Sequence, residues 1–316
     1  MELAINTQPL IQSPPTTGLD AAVGNTPLFP LKRLNRDISP RVQVFGKAEW
    51  FNPGGSVKAR PALSILQSAL AADCLAEGKR LLDSTSGNMG IAYATFGASY
   101  GIPVTLVIPA NASPERIKIL RALGAELILT DPLEGTDGAI QVARQMAEDE
   151  PERYYYADQY NNPANWQAHF NTTGPEVVYQ TAGRITHFIA GLGTSGTLMG
   201  VARHLRRFNP QVEIIAVQPD GPFHGLEGLK HMRTALRPGI YDTSVPDQMI
   251  AVSTETAYAY TRSLAKQEGL FVGVSAGAAA AAAVQVALGL DEGTVVTILP
   301  DAGYKYLSED FWEQPE

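Results

Sequence analysis

Apolar and polar positions along this chain switch repeatedly between a period of two and a period near 3.6. Residues 42–45, Val-Gln-Val-Phe, alternate at every step and predict a strand that residues 47–50 continue. Val57, Ala62, Leu63, Ile65, Leu66 and Leu70 then recur at helical spacing, with Ser56 as candidate N-cap and Pro61 in the first turn, where a missing N–H costs little. Short apolar runs at 81–83, 104–108 and 126–129 predict strands. Helical patterns follow them at 91–100, 114–123 and 138–148, the second opened by the capping signal Ser113-Pro114-Glu115. The second half repeats this logic. It predicts a helix near 173–181, strands at 187–190, 213–217 and 295–299, and helices up to 208, at 255–268 and at 275–288. The last helix is so rich in alanine that a second backbone can approach it closely. Residues 219–247 read as a long loop, 154–162 as a crossover between domains, and 1–22 as an irregular arm. Strand and helix in alternation, with uninterrupted apolar strands, imply parallel sheets covered by helices on both faces.

Length and composition narrow the class. At 316 residues, 45% hydrophobic and 18% charged, the chain suits two domains, or one large one, of an ordinary soluble globular protein. A net charge of −8 argues against nucleic acid and anionic membrane as partners. The one cysteine, Cys74, falls in a helical pattern and allows no intrachain disulfide or thiolate cluster. His169, His187, His204, His224 and His231 show no pair at ligand spacing, so no metal site is expected. No signal-peptide pattern opens the chain, and the weakly polar run 269–290 reads as a buried helix with its lead-in, not a membrane span. A cytoplasmic protein is expected.

Candidate chemistry gathers at four places. Asn52-Pro53-Gly54-Gly55 is turn chemistry, and it delivers Lys58 to the mouth of a helix. A helix N-terminus is already positive, so Lys58 is either a solvated surface lysine or an amine that loses its proton readily and can form a Schiff base. Loops at 84–90, 191–197 and 273–277 each follow a predicted strand and open a helix, the setting in which parallel sheets bind ligands. Gly191, Gly193 and Gly196 match a dinucleotide fingerprint, with Asp220 as ribose partner and a dehydrogenase as the corresponding reading. The hydroxyls of Thr194, Ser195 and Thr197 suit one compact phosphate monoester instead. Ser84-Thr85-Ser86-Gly87-Asn88 reads either as an anion nest for a small carboxylate or as plain helix capping.

Taken together, Asn52 to Lys58, Thr85 to Gly90, Gly193 to Thr197 and Gly273 to Gly277 stand in an order and spacing similar to the cysteine synthase and cystathionine β-synthase family. The similarity runs from Gly24-Asn25-Thr26-Pro27-Leu28 to Asp301 and the residues up to Ser308. It implies a fold-type II pyridoxal-phosphate enzyme, tryptophan synthase β-like, built from two three-layer α/β/α domains with mainly parallel sheets. The smaller would span 48–162 and carry a mobile substrate-carboxylate subdomain. The larger, 1–47 with 163–316, would bind the cofactor phosphate. By resemblance, Lys58 binds pyridoxal 5'-phosphate and is catalytic. Asn88 bonds the ring hydroxyl oxygen, and Gly193, Thr194, Ser195, Gly196 and Thr197 cradle the phosphate. Ser275 faces the ring nitrogen, where a neutral partner suits β-elimination. Thr85, Ser86, Gly87 and Gln159 hold the substrate carboxylate, with Asn88 and Met89 in the same loop.

The implied activity is β-replacement, making L-cysteine from O-acetyl-L-serine and sulfide through an α-aminoacrylate intermediate with ping-pong kinetics. The sequence departs from the pattern at Met89, where threonine is usual, at Ala59, where an acid is common, and across 223–242. Lys230 and Arg233 in that last stretch read as exposed surface charge. Lys230 is alternatively a substrate contact for O-phosphoserine. Cystathionine β-synthase is the less favoured relative, since no haem-ligating Cys/His pair lies in the N-terminal arm. A homodimer is expected by resemblance, with serine acetyltransferase as candidate partner.

Overall fold

A computed structural model describes residues 18–34, 37–75, 78–85 and 87–313. Most of the arm expected at 1–22 lies outside them, and Leu19–Ala22 forms a 3-10 turn. Two sheets organise the rest. Six strands run in the order β1 (Leu28–Pro30), β2 (Val42–Ala48), β10 (Gly293–Leu299), β7 (His187–Gly191), β8 (Glu213–Pro219) and β9 (Gln248–Val252). Four run in the order β5 (Glu126–Thr130), β4 (Val104–Pro109), β3 (Arg80–Ser84) and β6 (Tyr154–Tyr156). Every pairing is parallel except β1 with β2. Such sheets must be covered on both faces, and they are. One side of the larger sheet packs on α8 (Thr254–Ser263) and α9 (Val274–Leu288), the other on α7 (Gly196–Phe208). The smaller sheet lies between α1 (Ala59–Ala71) with α2 (Asn88–Tyr100) on one side and α4 (Gly135–Asp149) on the other.

The alanine stripe of α9 does what its composition predicts. A side chain on Gly277 would overlap Thr261 Oγ1 and the Ala257 carbonyl of α8, so the two backbones touch. The elements without a clear period in the sequence are short. β6 occupies the first three residues of the expected crossover and pairs with β3. α5 (Pro163–Asn171) begins at Asn162, whose Oδ1 accepts from Ala164 N at 3.0 Å. β9 is an edge strand with alternate residues exposed, so it carries little apolar signal. Two local expectations need correction. Helix α1 starts at Ala59 with Lys58 at the cap position, and Ser56 Oγ accepts from Lys58 N at 3.3 Å without capping the helix. Cys74 sits in the exposed turn beyond α1, not in the helix.

Parallel register decides where the chemistry goes. Leu299 of β10 is level with Ala48 of β2, and Thr297 with Ile189 of β7. The segments that leave the carboxyl ends of these three neighbours therefore emerge side by side. They are the Lys58 turn, the loop from residue 300 and the loop from residue 192.

Candidate active site

A cavity of about 450 Å³ opens at this edge. Lys58 lines it from the β2 side, Thr194 and Thr197 from β7, Ser275 from the start of α9, and Thr85 and Asn88 from β3 of the smaller sheet. Register within the larger sheet and the packing of the smaller sheet beside it thus bring together motifs up to 217 residues apart, a span illustrated by the bond from Lys305 Nζ to Asn88 Oδ1 at 2.8 Å.

Lys58 is half-buried and opens onto the cavity. Burial holds its amine below the usual 10.5, against the opposing pull of the Asp301 and Glu49 carboxylates. A lysine with a weakened hold on its proton is the one that attacks a carbonyl carbon. Two residues on, Arg60 is buried and anchors the helix. Its Nε and Nη2 reach Glu49 at 2.7 and 2.8 Å, and its Nη1 and Nη2 reach Glu176 at 2.7 and 2.8 Å.

The loop before α7 is shaped for an anion. Ser195 adopts φ 69°, and its buried Oγ has no partner among the described residues. Side chains on Gly193 and Gly196 would overlap the Gly228 carbonyl and Asn165 Oδ1, so both positions require glycine. Thr194 Oγ1 accepts from Asn165 Nδ2 at 3.1 Å, and Thr197 Oγ1 lies 3.2 Å from His169 Nε2. His169 Nδ1 meets Thr173 Oγ1 at 2.9 Å, and burial pushes the imidazole down to about 3, so it stays neutral. Asn165 and His169 stand four apart on α5 and back the loop from one helix face. That spacing was the signal available in the sequence, but α5 itself was not predicted.

On the smaller-sheet side, Thr85 Oγ1 accepts from Gly87 N at 2.9 Å and Gly90 N at 3.0 Å, which leaves its O–H to donate. Gly87 has φ 146°, and a side chain there would overlap the Arg116 side chain. Met89 is buried and reaches the cavity. Gln159 Nε2 donates to the Ser84 carbonyl at 2.6 Å. Beneath it, burial raises the Asp83 carboxyl to about 8. Ser86 lies outside the described residues.

The reading of Lys230 as exposed charge is overturned. It is buried, lines the cavity, donates to Asp137 Oδ1 at 2.6 Å and lies 4.9 Å above the Tyr160 ring. The loop carrying it folds back over the mouth, because Lys230 N bonds the Leu192 carbonyl at 2.7 Å. A second ion pair, Arg116 with Glu227, crosses the same mouth. Arg233 is exposed as expected, and Asp220, the ribose partner of the dinucleotide reading, is exposed and does not line the cavity. Among the described residues no cluster of His, Cys, Asp and Glu could hold a metal ion, and no helix is long and apolar enough to cross a membrane.

An amine poised for carbonyl chemistry, facing glycines and an orphaned hydroxyl at a helix N-terminus, fits a small aldehyde that carries a phosphate. The comparisons with known proteins agree. Residues 19–301 match the family described as pyridoxal-phosphate dependent enzyme. A cysteine synthase of Aquifex aeolicus is 54% identical over 90% of this chain and 89% of its own. Cysteine synthase B of Escherichia coli is 41% identical over 92% and 94%. The structure of an O-acetylserine sulfhydrylase from Entamoeba histolytica superposes with a TM-score of 0.90 at 32% identity, covering 100% of this chain and 96% of that one. The chain therefore belongs to the pyridoxal-phosphate-dependent enzymes, in their cysteine synthase branch. Its fold is fold-type II, and its cofactor is pyridoxal 5'-phosphate.

Proposed function

We propose that the protein makes L-cysteine from O-acetyl-L-serine and sulfide by β-replacement, with Lys58 as cofactor anchor and proton carrier. The observation that carries this reading is the Lys58 amine, with its lowered pKa, in one cavity with Thr194, Thr197, Asn88 and Ser275. Bound pyridoxal phosphate supplies the electron sink for charge released at Cα. The residues of the chain do the rest. The loop 193–197 holds the phosphate through its backbone N–H groups and hydroxyls. Asn88 donates to the ring hydroxyl oxygen. Ser275 would offer the ring nitrogen a neutral partner, which, unlike a carboxylate, does not favour a protonated ring. Thr85, Ser86, Gly87 and Gln159 take the substrate carboxylate, with Met89 filling the place beside it. With the amino-acid substrate seated, the Lys58 amine would take the Cα proton and return it to Cα after the sulfur has added. Acetate leaves from Cβ, and sulfide adds there.

Residues 48–162 form the smaller, mobile lobe in this reading and close over the substrate carboxylate to exclude water. O-Phosphoserine is not favoured, because Asp137 already engages the Lys230 ammonium. A nicotinamide dehydrogenase is not favoured either, because Asp220 stands away from the cavity. A homodimer and serine acetyltransferase as partner, both carried by family resemblance, and a cytoplasmic location complete the proposal.

The test combines a chromophore and a screen. Purified protein is expected to be yellow and to fix its cofactor on Lys58 after borohydride reduction. Mixed singly with serine, O-acetylserine and O-phosphoserine, it should respond spectrally to O-acetylserine most strongly. Undiminished turnover in Lys58→Ala, or initial rates that require a ternary complex, would overturn the scheme.

A further inference from the structure

Asn88 is held at both ends of its amide. Its Nδ2 donates to Asp301 Oδ2 at 2.8 Å, and its Oδ1 accepts from Lys305 Nζ at 2.8 Å. A carboxylate can only accept and an ammonium can only donate, so these partners permit one orientation of the amide and forbid the flipped one. Lys305 is buried, and its other two donors are engaged as well, by the Gly54 carbonyl at 3.1 Å and the Gly55 carbonyl at 3.0 Å. These are the glycines of the turn that delivers Lys58. Asp301 is also buried, and its Oδ2 accepts from Tyr306 OH at 2.9 Å. The backbone joins the same segments: Val57 N donates to the Pro300 carbonyl at 2.8 Å, and Ser56 forms a bridge with Asp301.

We propose that Asp301 and Lys305 are positioning residues that lock the Asn88 amide so that it presents an N–H, never a carbonyl oxygen, to the ring hydroxyl oxygen of the cofactor. The inference rests on the reading of Asn88 given above. An amide free to flip would aim its own oxygen at the ring oxygen for part of the time, and two acceptors facing each other repel. With Lys305 on one side and Asp301 on the other, the second Nδ2 hydrogen is the only group left to offer. Because Lys305 also ties down Gly54 and Gly55, the brace holds the Asn88 donor in fixed relation to the turn that places Lys58. Neither residue touches the reacting atoms in this account. Both act through Asn88.

The experiment is a double-mutant cycle on the reconstituted enzyme, read by cofactor affinity and by the visible absorption band of bound pyridoxal phosphate. Lys305→Met is expected to weaken cofactor binding about ten-fold, the scale of one lost hydrogen bond to a charged group, and to shift the band. Lys305→Arg should restore both to near the parent. In an Asn88→Ala background, Lys305→Met should add only the share carried by its bonds to the Gly54 and Gly55 carbonyls, less than about three-fold, and move the band no further, since no amide remains to orient. Additive effects in that background, or an unshifted band in Lys305→Met alone, overturn the proposal. If Asn88→Ala itself leaves band and affinity unchanged, the cofactor role of Asn88 fails, and the brace with it. The isosteric Asp301→Asn carries the same cycle should Lys305→Met fail to fold, with apoenzyme melting as the check on folding.

Discussion

Replacing Arg60 by methionine removes the guanidinium from a largely buried ion-pair cluster, in which only Glu176 is half-buried, while keeping most of the side-chain volume. Glu49 has no solvent contact. It accepts from Arg60 Nε and Nη2, from Thr26 Oγ1 at 2.7 Å and from Asn52 Nδ2 at 2.9 Å. Against the desolvation that favours its neutral form, the Arg60 charge and hydrogen bonds, with Lys47, hold its pKa at about 2 where 4.5 is usual. That difference corresponds to on the order of 3 kcal/mol of stability. A folded pKa depressed in this way contributes fully above about pH 4.5, and the contribution is lost as pH falls toward 2. In Arg60→Met the carboxylate stays buried with its principal counter-charge gone. The expected loss is about 3–5 kcal/mol at neutral pH. Desolvation then raises the Glu49 pKa, so the penalty is present at pH 7 and relieved as pH falls toward 5, where the carboxyl protonates. Urea unfolding midpoints of parent and variant at pH 7 and pH 5, at one saturating cofactor concentration, measure both effects. The gap should be wide at pH 7 and narrower at pH 5, and Glu49→Gln combined with Arg60→Met should recover most of it. A gap below about 1 kcal/mol at pH 7, or one equal at both pH values, would refute the assignment. Because Arg60 stands two residues after Lys58, the variant should also retain less cofactor.

Further outcomes follow from the same geometry. Gly200→Ala should lower stability by about 1–3 kcal/mol, because the new methyl would overlap the Trp166 carbonyl where α7 crosses α5; an unchanged melting temperature contradicts that close approach. The lowered pKa of Lys58 means that its amine becomes unprotonated at a lower pH than an ordinary lysine. Reconstitution of apoenzyme with pyridoxal phosphate should therefore reach half its maximal rate below pH 10.5, and a midpoint at or above that value refutes the burial argument. Lys230→Ala should leave the preference for O-acetylserine over O-phosphoserine unchanged, since Asp137 already neutralises the ammonium. A ten-fold drop confined to O-phosphoserine would show that Lys230 reads a phosphate.

Much of this was legible in the chain itself, for identifiable reasons. Strands buried on both faces, such as β4, are uninterrupted apolar runs, and helices such as α3 (Pro114–Ala122) announce their start with Ser113, whose side chain accepts from Arg116 N. The turn chemistry at 52–55 encodes a local backbone demand, met by Gly54 and Gly55 at positive φ, and so marks the turn that delivers Lys58, whereas Gly193 and Gly196 are legible as a motif although the Gly228 carbonyl and Asn165 are what demand them. Local encoding also explains what was missed. The edge strand β6 is three residues long, too short to show a period, β9 buries too little to leave a pattern, and Lys230 looks like surface charge because nothing near it in sequence reveals Asp137, 93 residues away. The side chains that hold the site's residues in place, Asn165 and His169 behind the phosphate loop and Asp301 and Lys305 around Asn88, are polar residues whose partners arrive only through tertiary packing, of α5 on the loop before α7 and of the smaller sheet's loop on the segment after β10. Sequence alone determined which segments turn, cap and carry an amine. The tertiary structure decided which of them meet, because burial in a shared cavity lowers the proton affinity of Lys58 and dictates the orientation of Asn88, and neither effect exists in a chain whose ends have not been brought together.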